Sequence, residues 1–380
     1  MSFSTLGLSS ELLSALEAQK YQTPYPIQQI AIPDILQGHD ILGIAPTGSG
    51  KTAAYVLPIL NQLQSLKKTK NRHVQTLVLV PSRELAIQVN EVVQSFASSL
   101  TERIKSLAVF GGVSINPQMI ALQHVSILVA TPGRLLDLVD SNAVSLSGLD
   151  TLVLDEADKM LNLGFKEEME RIFKLLPNKR QNLLFSATFS EDVDAVHQQV
   201  LNEPKIIRIK ALKKNIDQII QTAYRVSEER KGPLLRYIIK SKELTQVLVF
   251  TSSTHKADKV VEKLRQNGIE AGAIHSKKSQ SVRTKTLERF KDGALRVVVA
   301  TDLLGRGIDI DLLPYIINYE LPRSPKDYVH RIGRTGRAEA SGEAISLITE
   351  EESAHFRIIQ KKMGKWVTMV ESDELNLQGY

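Results

Sequence analysis

The chain contains no cysteine. This absence excludes disulfide bonds, zinc sites built on thiolates and catalysis by a thiol nucleophile. Long apolar runs are also missing, since none reaches the roughly 18 residues that a membrane-spanning helix needs. The start, Met1-Ser2-Phe3-Ser4, lacks the basic residues and the apolar core of a secretion signal. We therefore expect a cytoplasmic protein without membrane contact.

A strong excess of one charge is absent as well, because the net charge is only +6 over 380 residues. The charge is uneven: residues 1–208 carry 18 Lys and Arg against 20 Asp and Glu, and residues 209–380 carry 30 against 22. The two halves therefore have net charges of −2 and +8. A basic second half permits a polyanionic partner, although a solvated basic surface is the commoner explanation. The length predicts two domains of about 150 to 200 residues each.

One apolar run, Thr151-Leu152-Val153-Leu154, ends abruptly in Asp155-Glu156-Ala157-Asp158. This pattern is typical of a buried strand that delivers carboxylates to the edge of a parallel sheet, where open α/β sheets bind ligands. Asp155 would offer oxygen ligands to Mg²⁺, and Glu156 would act on a hydrolytic water. An acidic helix start, which the helix dipole favours, is the alternative that this stretch alone leaves open.

A second short strand, Asp40-Ile41-Leu42-Gly43-Ile44, runs into Ala45-Pro46-Thr47-Gly48-Ser49-Gly50-Lys51-Thr52 and a helical run. This octapeptide matches the phosphate-binding P-loop pattern, except that Ala45 replaces its first glycine. Glycines let backbone N–H groups surround a phosphate, the lysine adds a point charge, and the final hydroxyl binds Mg²⁺. The loop predicts a nucleotide site. Asp155 would be the acidic residue that such a site also uses, further along the chain at the end of a strand.

Three further units place small polar residues, often with an arginine, directly after an apolar run. They are residues 76–80 before Pro81-Ser82-Arg83, residues 125–130 before Thr131-Pro132-Gly133-Arg134, and residues 182–185 before Ser186-Ala187-Thr188. Each unit alone fits an ordinary turn with a capping Ser or Thr. Their repetition predicts a single ligand-facing rim.

The second half of the chain repeats the first in outline. Residues 246–252, QVLVFTS, echo residues 76–82, TLVLVPS, and residues 297–302 echo residues 127–132. We therefore predict two copies of one α/β fold with parallel sheets. The expected divisions are a first domain at 1–208, a basic linker at 209–218, a second domain at 219–370 and a tail at 371–380.

The second copy has no P-loop and carries Tyr328-Val329-His330-Arg331-Ile332-Gly333-Arg334-Thr335-Gly336-Arg337 instead. Arginines that alternate with glycines present planar, permanently charged groups that suit a phosphoryl group. A basic helix start on a solvated face is the alternative. If a nucleotide held by Lys51 also met Arg334 and Arg337, it would be hydrolysed only when the two domains close.

Taken together, these residues resemble the DEAD-box ATP-dependent RNA helicases from Phe3 to about Gly342. The motifs in family order are Pro24-Tyr25-Pro26-Ile27-Gln28, Ala45 to Thr52, Asp155 to Asp158, Ser186 to Thr188 and His330 to Arg337. The resemblance implies two tandem RecA-like domains joined by a short flexible linker, with bacterial members of the RhlE type as the most similar group. It also implies an enzyme that uses ATP and Mg²⁺ and opens short RNA duplexes locally, without long-range translocation.

The resemblance implies a role for individual residues. Catalysis would fall to Lys51, Asp155, Glu156, Arg334 and Arg337. The nucleotide would be contacted by Phe3, Tyr21, Gln28, Thr47, Gly48, Ser49, Gly50, Lys51, Thr52 and Asp309, with Thr52 and Asp155 serving the metal. Coupling between the domains would use Asp158, Ser186, Thr188 and His330. The RNA surface would comprise Pro81, Ser82, Arg83, Gly111, Gly112, Thr131, Gly133, Arg134, Gln280, Arg283, Thr301 and Asp302.

The RNA contacts implied in this way are turns and backbone groups, without a cluster of aromatic residues for stacking. We therefore expect RNA binding that does not depend on base sequence. We also expect a monomer, and the sequence does not identify its protein cofactors. Two alternatives also stay open. One is an ATP-gated RNA clamp or ribonucleoprotein assembly factor. The other is a DNA translocase, because no residue pattern proves contact to the 2′-hydroxyl group.

Overall fold

The computed structural model describes residues 2–46, 48–65, 73–209, 219–301, 313–335 and 342–380. The chain divides into two compact units, Met1–Ala211 and Leu212–Tyr380. This division lies inside the segment 209–218 that we predicted as the linker, of which residues 210–218 are outside the described residues. Within the described ranges, no helix combines the length and the apolar character that crossing a membrane requires.

The first unit is built on a parallel sheet whose strands are short, buried runs rich in Val, Ile and Leu. Its strands are β1 Ile41–Ile44, β2 Thr76–Leu79, β3 Ser106–Val109, β4 Ile127–Ala130, β5 Thr151–Asp155, β6 Gln181–Ser186 and β7 Lys205–Arg208. Its helices are α1 Ser10–Ala18, α2 Pro26–Leu36, α3 Lys51–Leu63, α4 Arg83–Ala97, α5 Asn116–Ala121, α6 Pro132–Asp140, α7 Ala157–Asn162, α8 Lys166–Phe173 and α9 Glu191–Val200. The strand order across the sheet is β3-β4-β2-β5-β6-β1-β7.

Strand β5 lies in the middle of this sheet and is buried along its whole length. Its side chains alternate between two cores, because successive residues of a strand point to opposite faces. Val153 packs in the core that contains α1 to α4, whereas Leu152 and Leu154 pack in the core that contains α6 to α9. A slip of one residue would exchange these faces, so the packing fixes Asp155 at the carboxyl end of the strand.

The second unit is built in the same way. Its strands are β8 Ile220–Arg225, β9 Val247–Thr251, β10 Ala271–Ile274, β11 Val297–Thr301, β12 Tyr315–Asn318, β13 Glu343–Ile348 and β14 Thr368–Glu371. Its described α-helices are α10 Lys231–Ser241, α11 Thr254–Gln266, α12 Gln280–Lys291, α13 Pro325–Ile332 and α14 Ser353–Met363. The strand order is β10-β11-β9-β12-β13-β8-β14.

The two sheets have the same order of strands, since each strand of the first has its counterpart seven strands later in the chain. Every strand pair in both sheets is parallel. The repeat that the sequence predicted is therefore a repeat of topology as well. The prediction of two parallel α/β domains is confirmed.

The end of the chain packs against the second domain. Strand β14 adds to the edge of the second sheet beside β8. Beyond it, the ring of Tyr380 lies 5.1 Å from that of Tyr237, and the guanidinium of Arg236 donates to the carbonyl oxygen of Tyr380 at 2.7 Å. Residues 371–380 thus pack against α10. These contacts join positions more than 140 residues apart, so no local pattern indicates them.

Candidate functional site

The strand order places the carboxyl ends of β5, β6 and β1 side by side in the first unit. The loop after β1 contains the predicted P-loop, the end of β5 carries Asp155, and Ser186 ends β6. The backbone N–H of Ala45 donates to the carbonyl oxygen of Ser186 at 3.0 Å. Three motifs that are separate in the sequence therefore meet at one rim.

The P-loop turns into helix α3 at Gly50, whose φ of +84° is in the left-handed region. A Cβ atom at this position would lie 2.5 Å from Nε2 of Gln28 and 2.9 Å from the ring of Tyr25. Glycine is thus required for its backbone conformation and for the close approach of α2. The hydroxyl of Ser49 is buried without a hydrogen-bond partner. Thr47 lies outside the described residues.

Lys51 is the first residue of α3 and is only 7% exposed. Its Nζ donates to the carbonyl oxygens of Ala45 at 2.7 Å and of Pro46 at 3.3 Å. Burial lowers the pKa of Lys51, and the charges of Asp155 and Glu156 act in the opposite direction. The ammonium group therefore lies inside the loop that would hold a phosphate.

Asp155 is buried at the end of β5, and its two oxygens have different surroundings. Oδ2 accepts a hydrogen bond from the hydroxyl of Tyr55 at 2.9 Å, whereas Oδ1 is buried without a partner. Burial raises the pKa of Asp155 to about 6, although the charge of Lys51 and the Tyr55 hydroxyl lower it. The carboxylate is held on one side and unsatisfied on the other, as expected of a ligand-binding group.

Tyr55 is a site residue that the sequence analysis missed. Its side chain is fully buried, its ring lies 5.4 Å from that of Phe185, and burial raises its pKa well above the usual value. Tyr55 follows Lys51 by one helical turn, and residues four apart on a helix share a face. The spacing would have placed its hydroxyl on the nucleotide side of α3.

The other two acids of the cluster have separate partners. Glu156 has a left-handed backbone with φ of +54°, uncommon outside glycine, and its carboxylate pairs with Nζ of Lys159 at 2.6 Å. Asp158 accepts a hydrogen bond from the Thr188 hydroxyl at 2.7 Å, and the Ser186 hydroxyl donates to the Thr188 carbonyl at 2.7 Å. The acidic stretch therefore divides between the P-loop and the turn after β6.

The residues predicted to read the base lie on the α2 side of the loop. Gln28 is buried; its Oε1 accepts from the N–H of Tyr25 at 2.9 Å, and its Nε2 donates to the Gly50 carbonyl at 3.0 Å. Tyr21 has its ring 6.5 Å from that of Phe3 and 5.4 Å from that of Phe96. Tyr21 and Phe3 border a cavity of about 520 Å³. Gln28 thus already joins α2 to the P-loop through its amide group.

The predicted RNA residues of the first unit lie at the ends of β2, β3 and β4. Ser82 caps α4 by accepting from the N–H of Leu85 at 3.2 Å, and Thr131 precedes α6 as its N-cap. A Cβ atom on Gly112 would lie 2.2 Å from the Arg83 guanidinium. Pro81 precedes Ser82, and the space beside Gly111 and Gly133 is open.

Arg134, predicted to contact RNA, is a buried side chain that is bonded to the protein backbone. It is only 7% exposed, and its Nη2 donates to the carbonyl oxygen of Val113 at 2.8 Å. Its Nε donates to Asp137 at 3.3 Å, and its Nη1 is buried without a partner. Arg134 therefore holds the chain that follows Gly111 and Gly112.

In the second unit, Gln280 begins α12 and contacts the buried Arg283, while Thr301 ends β11 and is 8% exposed. His330 lies near the end of α13, and Arg334 follows that helix and is 8% exposed. Three predicted site residues of the second unit, Asp302, Asp309 and Arg337, lie outside the described residues.

Arg331 belongs to the same motif but has a structural role, in contrast to the prediction of arginines that face a phosphoryl group. Its Nη1 donates to Oδ1 of Asn318 at 3.0 Å and to the carbonyl oxygen of Glu320 at 2.6 Å. The guanidinium also lies 4.9 Å from the centre of the Phe250 ring. Arginines spaced by three positions look alike in the sequence, but this one is 3% exposed and satisfied inside its own domain.

Comparisons with known proteins show the family to which this chain belongs. The family model described as DEAD/DEAH box helicase matches residues 25–196, and the model described as helicase conserved C-terminal domain matches residues 230–339. The DEAD-box ATP-dependent RNA helicase CshA of Geobacillus kaustophilus is 38% identical over 360 residues, which are 94% of this chain and 76% of that protein.

Two solved structures are similar along nearly the whole chain. Dbp5 of S. cerevisiae bound to RNA and ADP BeF3 matches with a TM-score of 0.84 and 31% identity over 98% of this chain and 96% of that chain. A DEAD box protein from Methanococcus jannaschii matches with a TM-score of 0.54 and 35% identity over 97% and 99%. The narrower assignment to the RhlE type stays a prediction. The two family models and these relatives together show that the chain belongs to the DEAD-box family of ATP-dependent RNA helicases.

Proposed function

We propose that this chain hydrolyses ATP when it binds RNA and uses the reaction to open short RNA duplexes locally. The observation that carries the proposal is the placement of Lys51 and Asp155 at one rim of the sheet. Lys51 is a buried cation inside a glycine-rich turn, and Asp155 is a buried carboxylate with one unsatisfied oxygen, whose charge acts on Lys51. This arrangement fits the phosphates and the metal of a nucleoside triphosphate. Relatives that are named as ATP-dependent RNA helicases support the choice of ATP and RNA.

The residues present fit Mg²⁺ as the metal. In the described part of the chain, no group of three or more His, Cys, Asp and Glu side chains forms a metal cage. Mg²⁺ needs no such cage, because it keeps several waters and is commonly held by one or two carboxylates together with substrate phosphates. Asp155 and Thr52 would hold it on the protein side. When bound, the metal would neutralise charge on the phosphate oxygens.

Within this proposal each residue at the rim has one task. Lys51 leaves the carbonyl oxygens of Ala45 and Pro46 and pairs with the outer phosphates of ATP. Glu156 polarises the attacking water. Its ion pair with Lys159 fixes the position of the carboxylate before the nucleotide binds. Gln28 binds the edge of the adenine base, and its hydrogen bond to the Gly50 carbonyl oxygen connects the base site to the P-loop.

The hydrogen bond from Thr188 to Asp158 connects the acidic stretch to the turn after β6. It gives the nucleotide site a physical link to a second segment, so we assign Asp158, Ser186 and Thr188 to coupling hydrolysis with strand release. His330 belongs to the same proposal from the second domain. Arg334 and Arg337 are proposed to stabilise charge on the phosphoryl group during transfer. Substitution of either should lower ATP turnover and leave nucleotide affinity nearly unchanged.

RNA is proposed to contact the turns after β2, β3 and β4 together with Gln280, Arg283, Thr301 and Asp302. Most of the described positions offer backbone groups and short polar side chains, which meet a sugar-phosphate strand without reading bases. We also propose that the protein acts in the cytoplasm as a monomer. This proposal assigns no particular protein cofactor.

The test compares ATP turnover and release of a labelled strand from a short RNA duplex. The wild type should hydrolyse ATP faster with RNA and release the strand, and Glu156→Gln should lower hydrolysis at least about 100-fold. Glu167→Gln, an exposed acid on α8, is the matched control and should behave as the wild type.

Three outcomes would contradict the proposal. If the wild type and Glu156→Gln both stay bound to RNA with ATP and neither releases a strand, the protein is an ATP-gated clamp. If single-stranded DNA stimulates turnover as well as RNA does, the DNA translocase is favoured. If RNA does not stimulate turnover at all, an RNA-dependent ATPase is excluded.

A further inference from the structure

The segment between β3 and α5 contains Gly111 and Gly112, which we placed on the RNA surface. Gly112 and Val113 are exposed, and Gly112 has a left-handed backbone with φ of +77°. A short exposed turn with such a backbone needs outside contacts to keep one conformation. The question is which side chains provide them.

The chain enters this turn at a weak point, because β3 is the edge strand of its sheet. The carbonyl oxygen of Val109 accepts from the N–H of Thr131 at 3.1 Å, on the side of β4. Successive residues of a strand direct their N–H and C=O groups to opposite sides, so those of Phe110 point away from β4. No neighbouring strand exists there to pair with them in the described sheet.

Gln118, on α5, satisfies both of these groups. Its Oε1 accepts from the N–H of Phe110 at 3.0 Å, and its Nε2 donates to the carbonyl oxygen of Phe110 at 3.2 Å. The amide side chain therefore takes the place of a neighbouring strand for one residue. We propose that Gln118 is a positioning residue, which fixes the turn at Gly111 and Gly112 so that their backbone N–H groups meet a phosphate of the RNA.

Two other side chains contact the same turn. Arg134 donates to the carbonyl oxygen of Val113, and the Arg83 guanidinium lies over Gly112. With Gln118 at Phe110, the turn is held at its start, its middle and its end. Each polar atom of Gln118 makes a hydrogen bond to Phe110, so the proposal assigns this residue a role that acts through the turn.

This proposal rests on the proposed RNA binding and makes it more specific. Gln118→Met keeps the length of the side chain and removes both hydrogen bonds. Gln118→Glu keeps the acceptor for the Phe110 N–H and loses the donor. Gln123→Met is the matched control, because Gln123 is an exposed glutamine just beyond α5.

The measurements are ATP turnover against the concentration of a ten-nucleotide uridine RNA, the salt dependence of its binding, and amide hydrogen exchange of residues 110–115. For Gln118→Met we expect the RNA concentration at half-maximal turnover to rise about tenfold, as for the loss of two hydrogen bonds. Turnover at saturating RNA and the KM for ATP should stay within about twofold. Amide exchange in 110–115 should become faster without RNA in Gln118→Met and also in Gln118→Glu, because the latter sets a carboxylate oxygen against the Phe110 carbonyl oxygen.

The slope of log affinity against log salt should stay unchanged in Gln118→Met, because the substitution removes no cation that faces a phosphate. A smaller slope would overturn the proposal, since it would assign the loss to a displaced arginine. Equal half-saturation by RNA in Gln118→Met and Gln123→Met would overturn it as well. Failure of RNA to stimulate the wild type would instead contradict the proposed function, and the exchange data without RNA would still decide whether Gln118 holds the turn.

Discussion

The ends of strands β5 and β12 occupy the same place in two sheets of the same topology. Thr151 pairs with Thr76 of β2, and Tyr315 pairs with Val247 of β9, so Asp155 corresponds to Tyr319 and Glu156 to Glu320. In the first domain, Oδ1 of Asp155 is buried without a partner. In the second, Glu320 is held by several donors.

Those donors saturate Glu320 within its own domain. The N–H and the hydroxyl of Ser252 both donate to Oε2 at 2.7 Å, and Nζ of Lys256 donates to Oε1 at 2.9 Å. The second domain thus uses Glu320 to join its own elements, as the first domain pairs Glu156 with Lys159. The contrast lies one residue earlier, where the second domain has Tyr319 and the first has Asp155 with an oxygen left for an external ligand, which fits a nucleotide site in the first domain.

The lysines that begin α3 and α10 show the same contrast. Each follows the first strand of its domain by a short loop. Lys51 is held by backbone carbonyls, whereas Lys231 forms ion pairs with Glu352 at 2.9 Å and Glu228 at 3.2 Å. Glu228 lies in the loop that corresponds to the P-loop, so the second domain supplies its own anion where the first would accept a phosphate.

The largest effect that we expect is a contrast between these two lysines: substitution of Lys51 should lower ATP turnover, and substitution of Lys231 should lower stability. Lys51→Ala should lower ATP turnover at least about 100-fold, because charge on the phosphates loses a buried cation. The free energy of unfolding should not decrease in this variant, since burial of Lys51 already disfavours its charged form. Lys231→Ala should destabilise the second domain by about 2 kcal/mol, because Glu352 and Glu228 lose their partner but partly reach water.

Urea unfolding followed by circular dichroism, together with ATP turnover per folded molecule, checks both variants. Turnover in Lys231→Ala should stay within about threefold of the wild type. If Lys51→Ala loses stability while Lys231→Ala loses turnover, the assignment of the two lysines is reversed and the comparison fails.

Much of this contrast was accessible from the sequence, because it depends on local patterns. The glycines around Lys51, the apolar run before Asp155 and the repeat of strand patterns are contiguous and have a physical meaning by themselves. They predicted the fold and the P-loop, whereas the coupling role of Asp158, Ser186 and Thr188 was implied only by the resemblance to the family. The prediction of the family was confirmed.

The missed features depend on contacts between distant positions. Tyr55 reaches Asp155 across 100 residues; its spacing from Lys51 indicates the face of α3 on which it lies, but not the carboxylate that it contacts. Gln118 acts on the backbone of Phe110, which any residue would provide. Strand β14 has an ordinary composition and is defined by the open edge of β8. Arg331 differs from Arg334 only in what surrounds it.

The second effect concerns pH, and its sign should be opposite at the two strand ends. Burial raises the pKa of Asp155 from 3.8 to about 6, so its contribution to stability is complete below pH 3.8 and is lost as pH rises through 6. The loss amounts to about 3 kcal/mol. Asp155→Asn should therefore stabilise the first domain at pH 7.5 and make little difference at pH 4.

Glu320 should behave in the reverse way. Burial alone would raise its pKa, but the hydrogen bonds from Ser252 and Lys256 outweigh burial and lower it below 4.5. Its contribution is present above pH 4.5 and is lost on acidification, so Glu320→Gln should destabilise the second domain at pH 7.5. Thermal unfolding at both pH values checks the pair. A shift of both variants in the same direction at pH 7.5 would contradict the comparison.

A smaller effect should follow from Thr188→Val, which keeps the shape of the side chain and removes its bond to Asp158. Because a hydrogen bond to a carboxylate is lost, we expect strand release per ATP to fall about tenfold. ATP turnover should change less than about threefold. The control is Thr101→Val, since Thr101 also donates to a carboxylate, that of Glu11 at 2.6 Å, but far from the site in sequence. Equal losses of turnover and release would remove the coupling role.

The smallest effect should come from Tyr55→Phe, which deletes one hydroxyl and leaves the ring against Phe185. Oδ2 of Asp155 would lose its fixed partner, so the Mg²⁺ concentration that half-saturates binding of a fluorescent nucleotide should rise about threefold. Tyr328→Phe is the control in the second domain, because it also deletes one buried tyrosine hydroxyl, which lies 3.1 Å from the hydroxyl of Ser346. It should change the free energy of unfolding and leave the Mg²⁺ dependence unaltered. If both variants shift the Mg²⁺ dependence equally, the Tyr55 hydroxyl has no special relation to Asp155.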